Sequence, residues 1–96
     1  MLPPLTAFCF KLTGQLGGCE CATASLARGV SAEDFARYEA VVARTLSQTN
    51  VPRRRAWREA LQQEADTRSV TANLLESLVL ETSREHHLAV KACGAG

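Results

Sequence analysis

The sequence predicts an all-α fold, a small three- to four-helix bundle with a loop-rich N-terminal segment that is fastened by disulfides. From Phe35 onward the apolar residues recur at helical spacing, and no stretch of four or more residues alternates as a strand does. Aromatic residues make up only 5% of the chain, which leaves the core to Leu, Val and Ala. The length of 96 residues fits a single helical domain, residues 1–96, with one core.

Residues 1–30 are predicted to form a cysteine-containing loop with one short helix. The segment is punctuated by Pro3, Pro4, Gly14, Gly17 and Gly18. Because prolines and glycines at this density are typical of turns, most of the segment is expected to lack regular structure. The short helix is expected over about residues 19–28.

The phase of that short helix separates its two cysteines. Cys19, Ala22 and Leu26 share one face. Cys21 lies about 200° away from Cys19 at helical spacing. The two cysteines are therefore predicted to point in different directions, with Cys19 toward the core.

Residues 31–93 are predicted to form the three main helices, of which the first has the clearest start. Ser31 is placed as its N-cap, and Asp34 lies at the capping-box position. One apolar stripe then consists of Phe35, Tyr38, Val42 and Leu46. The polar run 48–50 is expected to end this helix.

The second main helix is expected to begin with Asn50 as its cap and Pro52 in its first turn, and to run to about Ala65. Its main apolar anchor is Trp57, the only tryptophan of the chain. A short polar turn follows it.

The third main helix is expected to begin with Ser69 as its cap and to continue to Ala92 or Cys93. Its buried seam is predicted to contain Leu75, Leu78, Thr82, Ala89 and Cys93. Cys93 is therefore expected to face inward.

The four cysteines, Cys9, Cys19, Cys21 and Cys93, are predicted to form a structural disulfide framework. Four cysteines allow three pairings, and a bond between Cys19 and Cys21 would close a very small, strained ring. The favoured pairing joins Cys9 with Cys21 and Cys19 with Cys93, since the latter two are both expected to face the core. The pairing of Cys9 with Cys19 and of Cys21 with Cys93 stays open.

Disulfides require an oxidising compartment, so a periplasmic or secreted location is expected. The opening MLPPLTAFCF is apolar, but it lacks a basic n-region and is too short for a signal peptide. The expected location therefore assumes that an upstream signal peptide has been removed. No membrane span is predicted, because charged residues interrupt every apolar run before it reaches the roughly 20 residues that a spanning helix needs.

A metal site is an alternative use of the same cysteines. Thiolates and an imidazole suit zinc or copper, and the candidate ligands are Cys19, Cys21, His86 and Cys93. The Cys-x-Cys spacing lacks the two-residue spacer of zinc knuckles, and His86 and His87 point about 100° apart on a helix. The sequence therefore favours His86 as a polar residue at the edge of the core and His87 as a solvated one, and no cofactor is predicted.

One dense basic patch consists of Arg53, Arg54, Arg55 and Arg58. A cytoplasmic regulator that contacts nucleic acid through this patch is a second alternative, since guanidinium groups bind phosphates. Neither a glycine-rich phosphate loop nor interleaved aromatic residues accompany the arginines, and the net charge is only +1. The pattern favours a solvated face or one that contacts a protein.

No catalytic residue is predicted. The sequence contains no nucleophile elbow, HExxH helix, P-loop or dinucleotide fingerprint, and no C-x-x-C on a βαβ pattern. The predicted function is that of a non-catalytic, extracytoplasmic helical domain, which acts through contact with an unidentified protein partner or as an accessory factor.

Overall fold

A computed structural model describes residues 1–95 as five α-helices without a strand, so the all-α prediction is confirmed. The helices are α1 (Pro4–Thr13), α2 (Leu16–Gly29), α3 (Ala32–Ser47), α4 (Arg53–Arg68) and α5 (Ala72–Ala92). Five helices replace the predicted three to four, because the N-terminal segment is helical over most of its length. None of the helices within residues 1–95 combines the length and the apolar character needed to cross a membrane.

Helix α1 was predicted as loop, and its prolines and glycine explain the error. Pro4 is its first residue, where the missing N–H has no intrahelical acceptor to lose. Gly14 ends the helix in the left-handed region at φ 69°, and its N–H donates to the carbonyl oxygen of Phe10 at 2.8 Å. The residues that look like loop punctuation are therefore the start and the end of a helix.

Helix α2 begins at Leu16, three residues before the expected start, so that Gly17 and Gly18 lie in its first turn. The predicted phase is confirmed. Its buried residues are Cys19, Ala22 and Leu26, and Cys21 is exposed.

The start of α3 is also confirmed, since the side chain of Ser31 accepts a hydrogen bond from the backbone N–H of Asp34 at 3.0 Å. The predicted caps of the next two helices are wrong. Asn50 lies outside α4, whose N-cap is Pro52. Ser69 is the C-cap of α4, in the left-handed region at φ 56°, and α5 is capped by Thr71, which accepts from the N–H of Leu74 at 3.2 Å.

The main core lies between α3, α4 and α5, with contributions from α1 and α2. Its buried residues are Leu5, Leu26, Tyr38, Val41, Val42, Ala60, Leu61, Ala65, Leu75 and Val79. A second cluster near the disulfides consists of Cys9, Cys19, Ala22, Val90 and Ala95. The buried residues of α5 are Leu75, Val79, Thr82, His86 and Val90. The predicted α5 seam is therefore right at Leu75 and Thr82, while Leu78, Ala89 and Cys93 lie half-buried at its edges.

Candidate functional site

The Cys-Glu-Cys sequence fastens α2 to two different helices. Cys9 and Cys19 form a disulfide between α1 and α2, and Cys21 and Cys93 form a disulfide between α2 and the end of α5. The favoured pairing of Cys9 with Cys21 and of Cys19 with Cys93 is therefore wrong. The inference that the two adjacent cysteines hold two separate segments is right.

The predicted cysteine partners are wrong because residues 4–13 form the helix α1, which was expected to be a loop. Helix α1 packs on the buried face of α2, which brings Cys9 to the buried Cys19. Cys93, at the C-cap of α5, is half-buried and reaches the exposed Cys21 on the other side of α2. With α1 taken as loop, nothing in the sequence marked the face of α2 that Cys9 would meet.

The alternative metal ligands Cys19, Cys21, His86 and Cys93 are not brought together. The three cysteines belong to two different disulfides, so none of them offers a free thiolate. Nδ1 of His86 is hydrogen-bonded to Tyr38. Across residues 1–95, no three Cys, His, Asp or Glu side chains are grouped as a metal site requires.

An apolar cleft opens between α1 and α5 and extends to the start of α4. We call it the α1–α5 cleft; it consists of two cavities that share Phe8 and Ser83. The inner cavity, of about 290 Å³, is lined by Phe8, Cys9, Leu12, Thr13, Tyr38, Ser83, His86, His87 and Val90. The outer cavity, of about 430 Å³, is lined by Phe8, Arg53, Arg54, Trp57, Leu80 and Ser83.

The floor of the cleft is a buried polar pair. The hydroxyl oxygen of Tyr38 in α3 lies 2.6 Å from Nδ1 of His86 in α5, and the two rings meet edge to face at a centroid distance of 5.4 Å. The two residues are only 1% and 4% exposed. This hydrogen bond therefore joins α3 to α5 beneath the cleft.

The environment keeps both members of this pair uncharged at neutral pH. Burial raises the pKa of Tyr38 to about 12. Burial, together with the neighbouring His87, lowers the pKa of His86 below its ordinary value of 6.5. When the phenol donates to Nδ1, the imidazole proton lies on Nε2, which is buried and has no hydrogen-bond partner among residues 1–95.

The rim of the outer cavity is basic, and it contains only part of the arginine patch that the sequence showed. Arg53 and Arg54 line the cleft. Neither forms an ion pair with a carboxylate within residues 1–95, whereas Arg55 donates to Glu59 at 3.2 Å. Arg58 is exposed and is not among the residues that line either cavity. Two of the four arginines thus belong to the cleft.

Charge is distributed unevenly around the bundle. The cleft contains the cations Arg53 and Arg54 in its lining and no carboxylate among the residues given for its two cavities. A separate cavity of about 240 Å³, between α3 and α5, is lined by three carboxylates and one cation, namely Asp34, Glu81, Glu85 and Arg84. The cleft therefore differs in charge from its surroundings although the whole chain carries only +1.

The two walls of the cleft are both attached to α2. Besides the Cys9–Cys19 disulfide, Thr6 in α1 and Thr23 in α2 share a hydrogen bond of 2.8 Å between their hydroxyl groups. The Cys21–Cys93 disulfide attaches the end of α5. Both walls therefore pack on α2, where the disulfides reinforce the contact, and both also pack on α3.

Sequence reasoning missed most of the apolar residues of the cleft, above all Phe8 and Leu80, and also the polar Ser83. Leu80 carried a usable signal, since it is a large apolar residue off the predicted buried stripe of its helix. In the structure it is 46% exposed. Phe8 carried none, because its role depends on the position of α1.

Comparison of the chain with protein-family models, with curated proteins and with solved structures found no match. The cleft offers apolar contact along its walls and guanidinium hydrogen-bond donors at its outer end, which are properties of a binding surface.

Proposed function

We propose that this chain is a non-catalytic, extracytoplasmic helical domain that binds a segment of a partner protein in the α1–α5 cleft. The observation that supports the proposal most directly is the cleft itself. Its walls are apolar, and α1 and α5 are each tied to α2 by a disulfide. A surface held in shape before binding loses little conformational entropy when a partner docks.

The shape of the cleft favours a protein segment over a small molecule. The cleft is open to solvent along its length, and large apolar side chains continue at its edge, with Leu12 51% exposed. A third depression of about 190 Å³ adjoins it at Phe8 and Arg53. Extended, open apolar surfaces on small proteins mark interaction sites, whereas small-molecule sites enclose most of their ligand.

The extracytoplasmic part of the proposal depends on the disulfides forming in the native compartment. Mass spectrometry of the chain, isolated from that compartment without a reductant, should give a mass four protons below that of the reduced chain. Four free thiols would overturn this part of the proposal.

The docking part can be tested by placing a photo-crosslinking benzophenone side chain at position 80 or at position 74. Leu80 lines the cleft, whereas Leu74 lies on the same helix outside it, and the two side chains are similarly exposed at 46% and 52%. Irradiation in the native compartment should give one protein adduct of defined mass from position 80. Excess unlabelled protein should suppress that adduct, and excess Phe8→Asp protein should not.

Two results would overturn docking in the cleft. One is the same set of adducts from both positions, which would indicate collision and not binding. The other is an adduct from position 80 that Phe8→Asp protein suppresses as well as the unsubstituted chain does. Because Phe8 is partly buried against the core, far-ultraviolet circular dichroism must show that the variant is folded.

A further inference from the structure

We infer that the segment bound in the α1–α5 cleft is acidic and amphipathic, with apolar side chains against Phe8, Trp57 and Leu80 and carboxylates at Arg53 and Arg54. The inference rests on the proposed function, whose partner it describes by its chemistry. One cleft combines apolar walls with cations that have no ion-pair partner within residues 1–95, and this combination supports the inference.

The outer end of the cleft is positively charged. Four arginines elsewhere in the bundle are paired: Arg44 and Arg68 both contact Glu64, Arg37 contacts Glu33 and Asp34, and Arg55 contacts Glu59. Arg28, Arg58 and Arg84 have no ion-pair partner within residues 1–95, but they line neither cavity of the cleft. Arg53 and Arg54 have no such partner within residues 1–95, and both line the outer cavity. Lys11 lines the adjoining depression at Phe8 and adds a third cation beside the same apolar surface.

The apolar walls of the cleft restrict the kind of anion that can bind there. Phe8, Trp57 and Leu80 line the same outer cavity as Arg53 and Arg54. An anion bound there must bring apolar groups to the walls, since a strongly hydrated one would leave them in contact with water. A protein segment with carboxylates along one side and apolar side chains along the other meets both conditions.

The low net charge of the chain makes this preference local. At a net charge of +1, the protein exerts almost no long-range attraction on an acidic ligand. A preference for acidic over neutral ligands must therefore come from the few cations that the ligand contacts. Arg28 and Arg84 supply a matched control, because they are exposed and line neither cavity of the cleft.

Trp57 provides a direct readout of occupancy, since it lines the cleft and is the only tryptophan of the chain. The probes are three synthetic helical peptides of roughly four turns that lack aromatic residues and share one leucine-rich face. Their polar faces carry glutamate, glutamine or lysine. Each is titrated into the oxidised full chain, into the Arg53→Gln/Arg54→Gln variant and into the Arg28→Gln/Arg84→Gln variant.

The glutamate peptide should change Trp57 fluorescence at the lowest concentration and bind about five- to tenfold more tightly than the glutamine peptide. The lysine peptide should bind most weakly. The substitutions at Arg53 and Arg54 should remove most of the glutamate advantage, while those at Arg28 and Arg84 should change it by less than about twofold. High salt should reduce the advantage as well.

Different results would overturn the acidic preference and the docking of a protein segment in the cleft. Equal, cleft-dependent affinity for the glutamate and glutamine peptides would overturn the acidic preference and leave docking in the cleft intact. Equal loss in the two arginine variants would also overturn it, because the preference would then not be local. If a single-stranded oligonucleotide or an anionic phospholipid vesicle binds through Arg53 and Arg54 while no peptide does, both the acidic segment and the protein docking site are wrong.

Discussion

The hydroxyl oxygen of Tyr38 lies 2.6 Å from Nδ1 of His86, and this hydrogen bond spans 48 residues of sequence to join α3 to α5 under the cleft. Both side chains are almost completely buried. A buried hydrogen bond contributes modestly while both partners are present, but removing one partner leaves the other without a substitute. The pair therefore fixes the relative position of the two helices that form the floor and one wall of the cleft.

Removing both partners of this hydrogen bond should cost less than the two separate removals added together. Tyr38→Phe leaves Nδ1 of His86 unpaired, and His86→Leu leaves the buried phenol with only the Ser83 hydroxyl nearby, so each should lower the free energy of unfolding by about 1–3 kcal/mol. The double variant should lose less than the sum of the two single losses. Urea unfolding of the four proteins measures this coupling, and strictly additive losses would show that the hydrogen bond contributes nothing.

The stability of the fold should fall as the pH drops below the ordinary pKa of histidine. Burial lowers the pKa of His86 in the folded chain, so below a pH of about 6.5 the unfolded chain binds a proton that the folded chain resists. The contribution of His86 is therefore complete above the unfolded pKa and is lost as the pH falls through the folded pKa. Urea midpoints between about pH 7.5 and about pH 5 should show this decline.

His87 supplies the matched control for that pH dependence. It is exposed and adjacent in sequence to the buried His86, so His87→Gln should keep most of the decline, whereas His86→Leu should flatten it. Glu64 does not interfere, because its pKa lies below its ordinary 4.5 and it titrates outside this range. Identical pH profiles for the two variants would contradict the assignment to His86.

The ion pairs of Glu64 with Arg44 and Arg68 should stabilise the fold at neutral pH and lose that effect at acidic pH. Burial alone would raise the pKa of Glu64, but hydrogen bonds from Arg44 at 2.8 Å and Arg68 at 2.5 Å outweigh it and lower that pKa. Glu64→Gln should cost roughly 1–2 kcal/mol of unfolding free energy at neutral pH, since the carboxylate is nearly buried while both arginines are partly exposed.

The exposed pair of Arg55 and Glu59 serves for comparison with Glu64. Glu59→Gln should cost less than about 0.5 kcal/mol. The stabilisation by Glu64 is present above the unfolded carboxyl pKa and should disappear as the pH falls through the folded pKa. Thermal unfolding at neutral and acid pH checks both statements, and an equal loss in the two variants at neutral pH would contradict them.

The two disulfides should open in a fixed order. Cys21 is exposed, while Cys9 and Cys19 are 2% and 0% exposed. A dilute thiol reductant therefore reaches the Cys21–Cys93 bond first. Brief reduction, alkylation and peptide mapping should find alkylated Cys21 and Cys93 in molecules that keep the Cys9–Cys19 bond, and the reverse order would refute the exposure argument.

Opening the Cys21–Cys93 bond alone should lower stability substantially. It joins residues 72 apart, whereas Cys9 and Cys19 are 10 apart. In the chain-entropy model the long closure is worth on the order of 4 kcal/mol, against about 3 kcal/mol for the short one. The Cys21→Ala/Cys93→Ala variant isolates this contribution in urea unfolding, and an unchanged midpoint would contradict it.

The local features of the fold could be predicted from the sequence, and its long-range contacts could not. The Ser31 cap, the helical phase that separates Cys19 from Cys21, and the exposure of His87 are each set by residues within a few positions. The helix α1 was hidden because Pro4 fits a first helical turn as readily as it fits a loop. Without α1, neither the correct cysteine partners nor the cleft could be derived.

The candidate site shows the same division between local and distant information. The arginine patch was evident in the sequence, but which arginines face the cleft depends on how α4 lies against α1 and α5. A buried tyrosine needs a partner for its hydroxyl group, yet nothing in the sequence pairs Tyr38 with a histidine 48 residues away.

The glycine pair at the start of α2 should respond asymmetrically to alanine substitution. A Cβ on Gly18 would lie 2.5 Å from the Cβ of Ala95 and 3.1 Å from its Cα, whereas a Cβ on Gly17 would meet nothing within 4 Å. Ala95 is buried and follows Cys93, which is bonded to the same helix, so it cannot move away freely. Gly18→Ala should destabilise the fold by about 1–3 kcal/mol through overpacking. Gly17→Ala should be neutral or stabilise it by up to about 1 kcal/mol, because alanine loses less backbone entropy in a helix. Urea unfolding of the two variants measures the difference, and equal effects would mean that the C-terminal residues do not pack against Gly18.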